Sequence, residues 1–188
     1  MGGNKLFFRL AGETMVKRTV KCAIAAGLDP IIVTVGHDSD QVSNELAGLP
    51  VRTVLNPDYA RGLNRSLKTG IEAIPADVSA VVVLLADMPL VTSRMVAALV
   101  QRYRESSAPL IVSDYAGVQA PPTLYDRSLF PELGAMEGEG SGKQVVHRHA
   151  KEAVSVSWPA AALADVDRPE DYQRALALLD DEGKPPTS

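Results

Sequence analysis

The chain has 188 residues, of which 46% are hydrophobic and 22% charged, enough for one soluble domain with a substantial core and too few for two. Its net charge of −4 excludes the broad basic surface of a nucleic-acid binder; an acidic protein that handles phosphates needs a cation or a few placed Lys, Arg and backbone N–H groups. The single cysteine, Cys22, excludes an internal disulfide, fits a reducing cytoplasm, and in its apolar helical setting reads as a small hydrophobe rather than a nucleophile. No run approaches the roughly 18–20 apolar residues of a membrane span, so a soluble, cytoplasmic protein is expected.

In chain order, Val16 to Ala26 is alanine-rich and helix-patterned, Gly27 offers a stop, and Ile31 to Val35 reads as a strand. A short helix is expected over Gln41 to Ala47, a strand over Val51 to Leu55, and a helix over Asn64 to Ile74. Ala80 to Ala86 then forms the longest apolar run, short and β-branched like an interior parallel strand. Thr92 is placed to cap a helix through Arg104, and Leu110 to Val112 reads as a strand. Residues 113–142 carry many Gly and Pro and an acidic Glu137-Gly138-Glu139-Gly140 loop, which suggests a substrate-facing excursion. Val154 to Trp158 alternates like an edge strand, Pro169 to Leu179 reads as the last helix, and Asp180 to Ser188 as a disordered tail. This alternation argues for a single α/β domain over residues 1–179 with a mainly parallel, mixed sheet.

Asp87 is the first candidate for chemistry. It closes the apolar run, is followed by Met88-Pro89, and so puts a carboxylate at the carboxyl end of a strand, where open α/β sheets bind ligands. A hard cation such as Mg²⁺ takes one or two carboxylates and fills its remaining positions with phosphate and water oxygens. A turn aspartate before proline explains the tripeptide equally well. A second acidic cluster, Asp165-Val166-Asp167, precedes Glu170, and Asp167 with Glu170 also fits a helix capping box. Lys5, beside Gly2 and Gly3, could reach a phosphate or stand exposed. Asn56-Pro57-Asp58-Tyr59 and Gly62-Leu63-Asn64-Arg65-Ser66 follow a strand and open a helix, so Asn64 and Ser66 read either as ligand contacts or as an ordinary turn and cap. His37, His147 and His149 show no metal spacing and read as surface residues. No Gly-x-Ser-x-Gly or Walker motif is present, which disfavours an α/β hydrolase or a P-loop NTPase.

Taken together, Met1-Gly2-Gly3-Asn4-Lys5-Leu6, Asn56-Pro57-Asp58-Tyr59, Gly62 to Leu67, Ala86-Asp87-Met88-Pro89 and Asp165-Val166-Asp167 resemble the MobA-like nucleotidyltransferases, and within them the molybdenum cofactor cytidylyltransferases. The resemblance implies a Rossmann-like three-layer fold. It also implies Mg²⁺-dependent transfer of a nucleoside monophosphate, CMP rather than GMP, from an NTP to a phosphorylated cofactor such as molybdopterin, releasing pyrophosphate. Carried over position by position, Lys5 contacts the nucleotide phosphates, Asp87 holds Mg²⁺, Asp167 completes the metal site, and Asn64 and Ser66 lie near the nucleotide. A molybdoenzyme is an expected partner; nucleic acid and membrane are not.

Three departures qualify this reading. The family's opening strand and glycine-rich loop would precede Met1, which implies a misplaced start or a shortened chain, exposed backbone edges on that strand's two neighbours, and doubtful stability or activity. Ala86 replaces the glycine before Asp-Met-Pro, and Ala120-Pro121-Pro122 stands where the family has Gly-His-Pro, which leaves the acceptor open. A non-catalytic nucleotide- or cofactor-binding accessory protein in molybdoenzyme maturation is the alternative. An oxidoreductase is disfavoured because Gly-x-Gly-x-x-Gly is absent.

Overall fold

The computed structural model describes residues 5–135 and 140–163 together with Asp171; apart from Asp171, the sequence-derived helix over Pro169 to Leu179, the tail beyond it and Asp167 lie outside the described residues. After a small hairpin of β1 (Arg9–Leu10) and β2 (Glu13–Thr14), helix α1 (Met15–Ala25) begins with the Thr14 hydroxyl accepting the Lys17 N–H. Its buried residues Val16, Val20 and Ala23 recur at helical spacing, and Gly27, at φ +74°, ends it by donating to the Ile24 carbonyl. Strand β3 (Ile32–Val35), helix α2 (Ser39–Glu45) and strand β4 (Arg52–Leu55) follow as a β-α-β unit, with β3 and β4 parallel and Ile32 opposite Arg52.

Helix α3 (Leu63–Glu72) leads to β5 (Ala80–Val83), and α4 (Ser93–Glu105) starts on the Thr92 hydroxyl, which accepts the Met95 N–H as its sequence position suggests. Strands β6 (Leu110–Tyr115) and β7 (Val118–Asp126) form a hairpin, followed by α5 (Phe130–Ala135), α6 (Ser141–Arg148) and β8 (Val154–Trp158). The second sheet runs β5-β7-β6-β8, antiparallel at β5/β7 and β6/β7 and parallel at β6/β8.

Alternating side chains divide the molecule into three layers. Val33 and Val35 of β3 pack with Val16 and Val20 of α1, whereas Thr34 faces α3 so closely that a β-carbon on Gly70 would stand 3.1 Å from its hydroxyl. In β5, Val81 and Val83 join Ile71, Leu129, Leu133 and Val145 on the side of α3, α5 and α6, while Val82 joins Val96 and Leu99 of α4. Helices therefore cover both faces, as the α/β patterning requires. Among the described residues no helix is long and apolar enough to cross a membrane.

Two expectations change. Residues 113–135 and 140–142 are largely framework, with Glu137 to Glu139 outside the described residues: β7 spans nine residues in the centre of its sheet and tolerates Pro121 and Pro122 because they fall in the bulge where its pairing with β6 jumps from Val112–Thr123 to Ser113–Ala120, and there the Pro122 carbonyl accepts from Ser113 Oγ at 2.7 Å and the Pro121 carbonyl from Tyr115 Oη at 2.8 Å. Ala80 to Ala86, read as an interior parallel strand, is helically covered on both faces but pairs only with antiparallel β7, and all four residues of β5 are only half-buried because its other edge is open among the described residues. Among the described residues β8 pairs only with β6, the edge position its alternation suggests.

His149 is not a plain surface residue. Its Nε2 lies 2.8 Å from Glu132 and its Nδ1 3.1 Å from Glu152, so it ties α6 to α5, and Arg148 reaches Glu132 at 2.8 Å. The hydrogen bond to Glu132, with that to Glu152, raises the imidazole above its ordinary 6.5, and the hydrogen bond from His149, followed by that from Arg148, lowers Glu132 below 4.5. A raised histidine contributes its stability fully below the unfolded value and loses it as pH rises through the folded one; a lowered glutamate contributes above its unfolded value and loses it on acidification. The clamp should therefore be strongest between those two values and weaken above neutrality. We expect His149→Gln to lower the melting temperature more at pH 6 than at pH 8.5, measured by pH-resolved thermal denaturation; an equal loss at both would show that the ring acts by packing alone. In the core, Leu110 is 0% exposed, and Leu110→Ala should cost about 2–5 kcal/mol by urea unfolding.

Candidate active site

The strand pairing of β5 ends at Val83, and the chain runs through Leu84 and Leu85 into a turn that carries Asp87, closed by the Met88 N–H donating to the Leu85 carbonyl at 3.3 Å. Met88, Leu90 and Val91 are buried directly after it and anchor the turn, while Arg18 Nε donates to the Pro89 carbonyl at 3.0 Å and pins it to α1. Asp87 thus projects from a fixed support at the carboxyl end of the strand, as its sequence position implies.

Lys5 meets it there. The Lys5 ammonium donates to Asp87 Oδ2 at 2.8 Å across 82 residues of chain, with the two side chains 37% and 27% exposed. Leu6 and Phe7 pack against the α1 cluster and hold Lys5 in place, and the Phe8 carbonyl accepts the Met15 N–H at 3.0 Å. An ion pair this exposed contributes little to stability. Its significance is positional, because it sets a cation donor and a carboxylate side by side at a ligand-binding edge.

The loop after β4 is organised by Asn56, 1% exposed. Its N–H extends the β3/β4 ladder to the Val35 carbonyl at 2.8 Å, its Oδ1 accepts the Asp58 N–H at 3.0 Å in an Asx turn, and its Nδ2 donates to Ser66 Oγ at 3.1 Å on α3. Gly62, at φ +107°, makes the corner into α3 that a side chain would strain. Gly36 admits Tyr59 so closely that a β-carbon would lie 2.7 Å from it, and Tyr59 Oη sits 3.2 Å from His37 Nδ1.

Asn64, Ser66 and Asp87 line one cleft of about 1130 Å³, to which Gln119, Ala120 and Pro121 also contribute. The structure therefore brings together Lys5, Asp87, Asn64 and Ser66, and puts the Ala120-Pro121 segment in the same cavity. Asp167 lies outside the described residues. Sequence reasoning treated Asn56 as part of a turn and overlooked Arg18; the Asn-Pro-Asp order directly after a strand was the signal for a buried Asx turn, whereas nothing in the local pattern marks Arg18 as the clamp on Pro89.

A divalent cation is implied by the motifs. Among the described residues no three His, Cys, Asp or Glu side chains gather into a metal cage. Asp87 instead offers the single strand-end carboxylate that a Mg²⁺-type ion uses when phosphate and water supply its other oxygens, so the donor present fits a hard cation carried with a phosphate ligand. Removing the hub should uncouple the loop from α3: Asn56→Ala leaves Ser66 Oγ and the Asp58 N–H without their partner and is expected to lower stability by about 1–3 kcal/mol, measured by denaturant unfolding.

Residues 1–154 match the MobA-like NTP transferase domain. Over 186 residues the chain is 28% identical to the purine catabolism protein PucB of Bacillus subtilis (strain 168), covering 92% of this chain and 87% of PucB. Other curated relatives are longer bifunctional proteins, of which the chain spans 18% to 37%. Its fold is similar to the manganese complex of Rv0371c from Mycobacterium tuberculosis H37Rv, with TM-score 0.77, 24% identity and coverage of 92% of this chain and 91% of that one. It is also similar to Mth528, a nucleotidyl transferase from Methanothermobacter thermautotroptrophicus, with TM-score 0.80, 22% identity and coverage of 95% and 86%. A strand-end Asp87 met by Lys5, in a three-layer α/β domain that matches over most of its length, is accounted for by one assignment: the chain belongs to the MobA-like NTP transferase family.

Proposed function

We propose that this chain is a Mg²⁺-dependent nucleotidyltransferase that moves a nucleoside monophosphate, CMP in preference to GMP, from an NTP to a phosphorylated cofactor such as molybdopterin. The observation that carries the proposal is the Lys5–Asp87 pair at the carboxyl end of β5, 2.8 Å apart beside the cleft that holds Asn64 and Ser66. The ordered motifs from Met1 to Asp167 support the choice of CTP and of a molybdopterin-type acceptor, and the manganese complex of Rv0371c supports a divalent cation.

In the reaction a terminal phosphate oxygen of the acceptor attacks the α-phosphorus of the NTP, the α–β anhydride bond breaks, and pyrophosphate leaves with its electron pair. Bound Mg²⁺ supplies charge neutralisation on the phosphate oxygens and orients the phosphorus. Asp87 would hold the cation, and Lys5 beside it would set an ammonium against the triphosphate oxygens. Asn56 holds Ser66, and with it the start of α3, at the same cleft, where hydroxyl and amide groups can fix the nucleotide. Catalysis by such a site is positioning and electrostatics, with no covalent intermediate on the protein.

A second reading has its own observation. In this structure Lys5 already balances the Asp87 charge through Oδ2 at 2.8 Å, as a site that binds a nucleotide or cofactor without turning it over would need, which favours an accessory protein in molybdoenzyme maturation. Both readings place nucleotide at Asp87, and they part on whether the cation matters.

The test is a thermal-shift titration with CTP, GTP and ATP, each with and without Mg²⁺, on the chain and on Asp87→Asn. A shift with CTP that requires Mg²⁺ and vanishes in Asp87→Asn is the expected result, and a Mg²⁺-independent shift retained by the variant would select the accessory reading. In turnover assays with a phosphorylated acceptor, Asp87→Asn should lower kcat by about 10²–10³-fold while leaving the melting temperature close to that of the parent. Retained turnover would remove Asp87 from the mechanism.

A further inference from the structure

The segment from Leu85 to Val91 carries Asp87 out of the sheet on weak main-chain bonding of its own. The Met88 N–H donates to the Leu85 carbonyl and the Val91 N–H to the Met88 carbonyl, both at 3.3 Å, longer than the roughly 2.9–3.0 Å typical of such bonds. A shorter, charge-assisted bond reaches the main chain of the segment from outside: Arg18 Nε donates to the Pro89 carbonyl at 3.0 Å across 71 residues of chain. Pro89 is where such a bond has most effect. Its ring fixes φ at about −65°, and the bond to its carbonyl fixes the peptide plane that follows, so both soft torsions of a residue two places after Asp87 are set. Buried Met88, Leu90 and Val91 hold the segment down but give it little direction, since apolar contact is non-directional.

Helix α1 is placed to deliver this donor. Cys22 and Ala26, on the same stripe of the helix as Arg18, pack with Met88, Val91 and Met95, while Val16 and Val20 pack with Val33 and Val35 of β3. Arg18 therefore stands where the apolar contact between α1 and the Asp87 turn ends. Its charge gains nothing from the helix itself, because α1 has no acidic residue in its first turn and the dipole there favours anions. What Arg18 contributes is its contact with Pro89.

From this geometry we infer that Arg18 is a positioning residue for the cation: its hydrogen bond to the Pro89 carbonyl holds the Asp87 carboxylate in the orientation that admits Mg²⁺ together with phosphate, an inference that rests on the Mg²⁺-dependent reading of the site. The demand on Asp87 is strict. Mg²⁺ requires near-ideal octahedral geometry, and among the described residues no cluster of His, Cys, Asp or Glu backs Asp87, so none of them replaces it when it is displaced.

Two substitutions separate the hydrogen bond from charge and from packing. Gln Nε2 lies as many bonds from Cα as Arg Nε, so Arg18→Gln keeps the donor and drops the charge, whereas Arg18→Met keeps a stem of that length and drops both. The whole chain and both variants are titrated calorimetrically with CTP, GTP and ATP, with and without saturating Mg²⁺, and hydrogen–deuterium exchange follows the Met88, Leu90 and Val91 amides in the ligand-free chain. In Arg18→Met the gain in nucleotide affinity that Mg²⁺ confers should fall about tenfold, and these amides should exchange about tenfold faster, as the loss of a charge-assisted hydrogen bond requires. Affinity without Mg²⁺ and the melting temperature should stay near those of the parent, and Arg18→Gln should restore most of the gain and of the protection. An equal loss in both variants would assign the effect to charge, and an unchanged gain in Arg18→Met would leave Arg18 a packing role. A proportional fall in affinity with and without Mg²⁺, or faster exchange throughout Arg18→Met, would mark a merely structural role. Each of these results would overturn the inference while leaving the catalytic reading intact. A parent chain whose affinity for all three nucleotides is indifferent to Mg²⁺ would instead overturn the metal-dependent reading and the inference with it, and that failure is seen in the parent, before any variant is compared.

Discussion

The main-chain hydrogen bonding of β5 is the constraint on which the rest of the molecule depends. On one side β5 is held by β7 in a register that sets Val83 opposite Thr123, and this fixes where the chain leaves the sheet and where Asp87 emerges. On its other side the edge faces the cleft shared with β3. A peptide group buried away from water without a partner is costly, so the paired edge is what holds the strand in place. The candidate residues for chemistry stand at the end of this strand because its carboxyl terminus is the point at which backbone order gives way to turns.

Electrostatics acts within that frame. The protein carries a net charge of −4, and Lys5 beside Asp87 offsets the local repulsion that an anionic ligand would otherwise meet. The pair is partly exposed and so contributes little to holding the fold; its residues are kept in place by neighbours that are not charged, Leu6 and Phe7 against α1 on one side and Met88, Leu90 and Val91 on the other. Stability and function are thus separated: apolar anchors fix the geometry and leave the charges available. The clamp of His149 on Glu132 shows the opposite arrangement, with charged groups used to tie α6 to α5 away from the cleft carboxylate.

Asn56 links these regions. As a buried amide with its donor and its acceptor both engaged, it fastens the end of β4 to the start of α3, a helix that lines the cleft. The exposed apolar side chains Leu55, Tyr59 and Leu63 lie on the same connection, which marks it as a surface segment built on a buried polar hinge.

Much of this was legible in the residues themselves. The helices from α1 to α4, strands β3 and β4, the Thr92 cap, the Gly27 stop and the candidate Asp87 follow from periodicity and from capping and turn chemistry, which act over a few residues and are written locally. The ordered motifs also carried the family. The reading of residues 113–142 as an excursion caught the cleft-lining Gln119, Ala120 and Pro121 but missed that they belong to β7, because prolines that normally exclude a central strand sit there in a bulge of the pairing with β6, visible only once the strands are paired. Likewise the apolar run at Ala80 specified a strand with both faces covered but not its partners, since strand neighbours are chosen by contacts far apart in sequence. The open edges of β3 and β5 among the described residues match the exposed strand neighbours that the motifs imply, whereas the meeting of Lys5 with Asp87 and of Asn56 with Ser66 and the tie from Arg18 to Pro89 were decided by tertiary structure, because each is set by where packed elements come to rest rather than by the residues beside it in the chain.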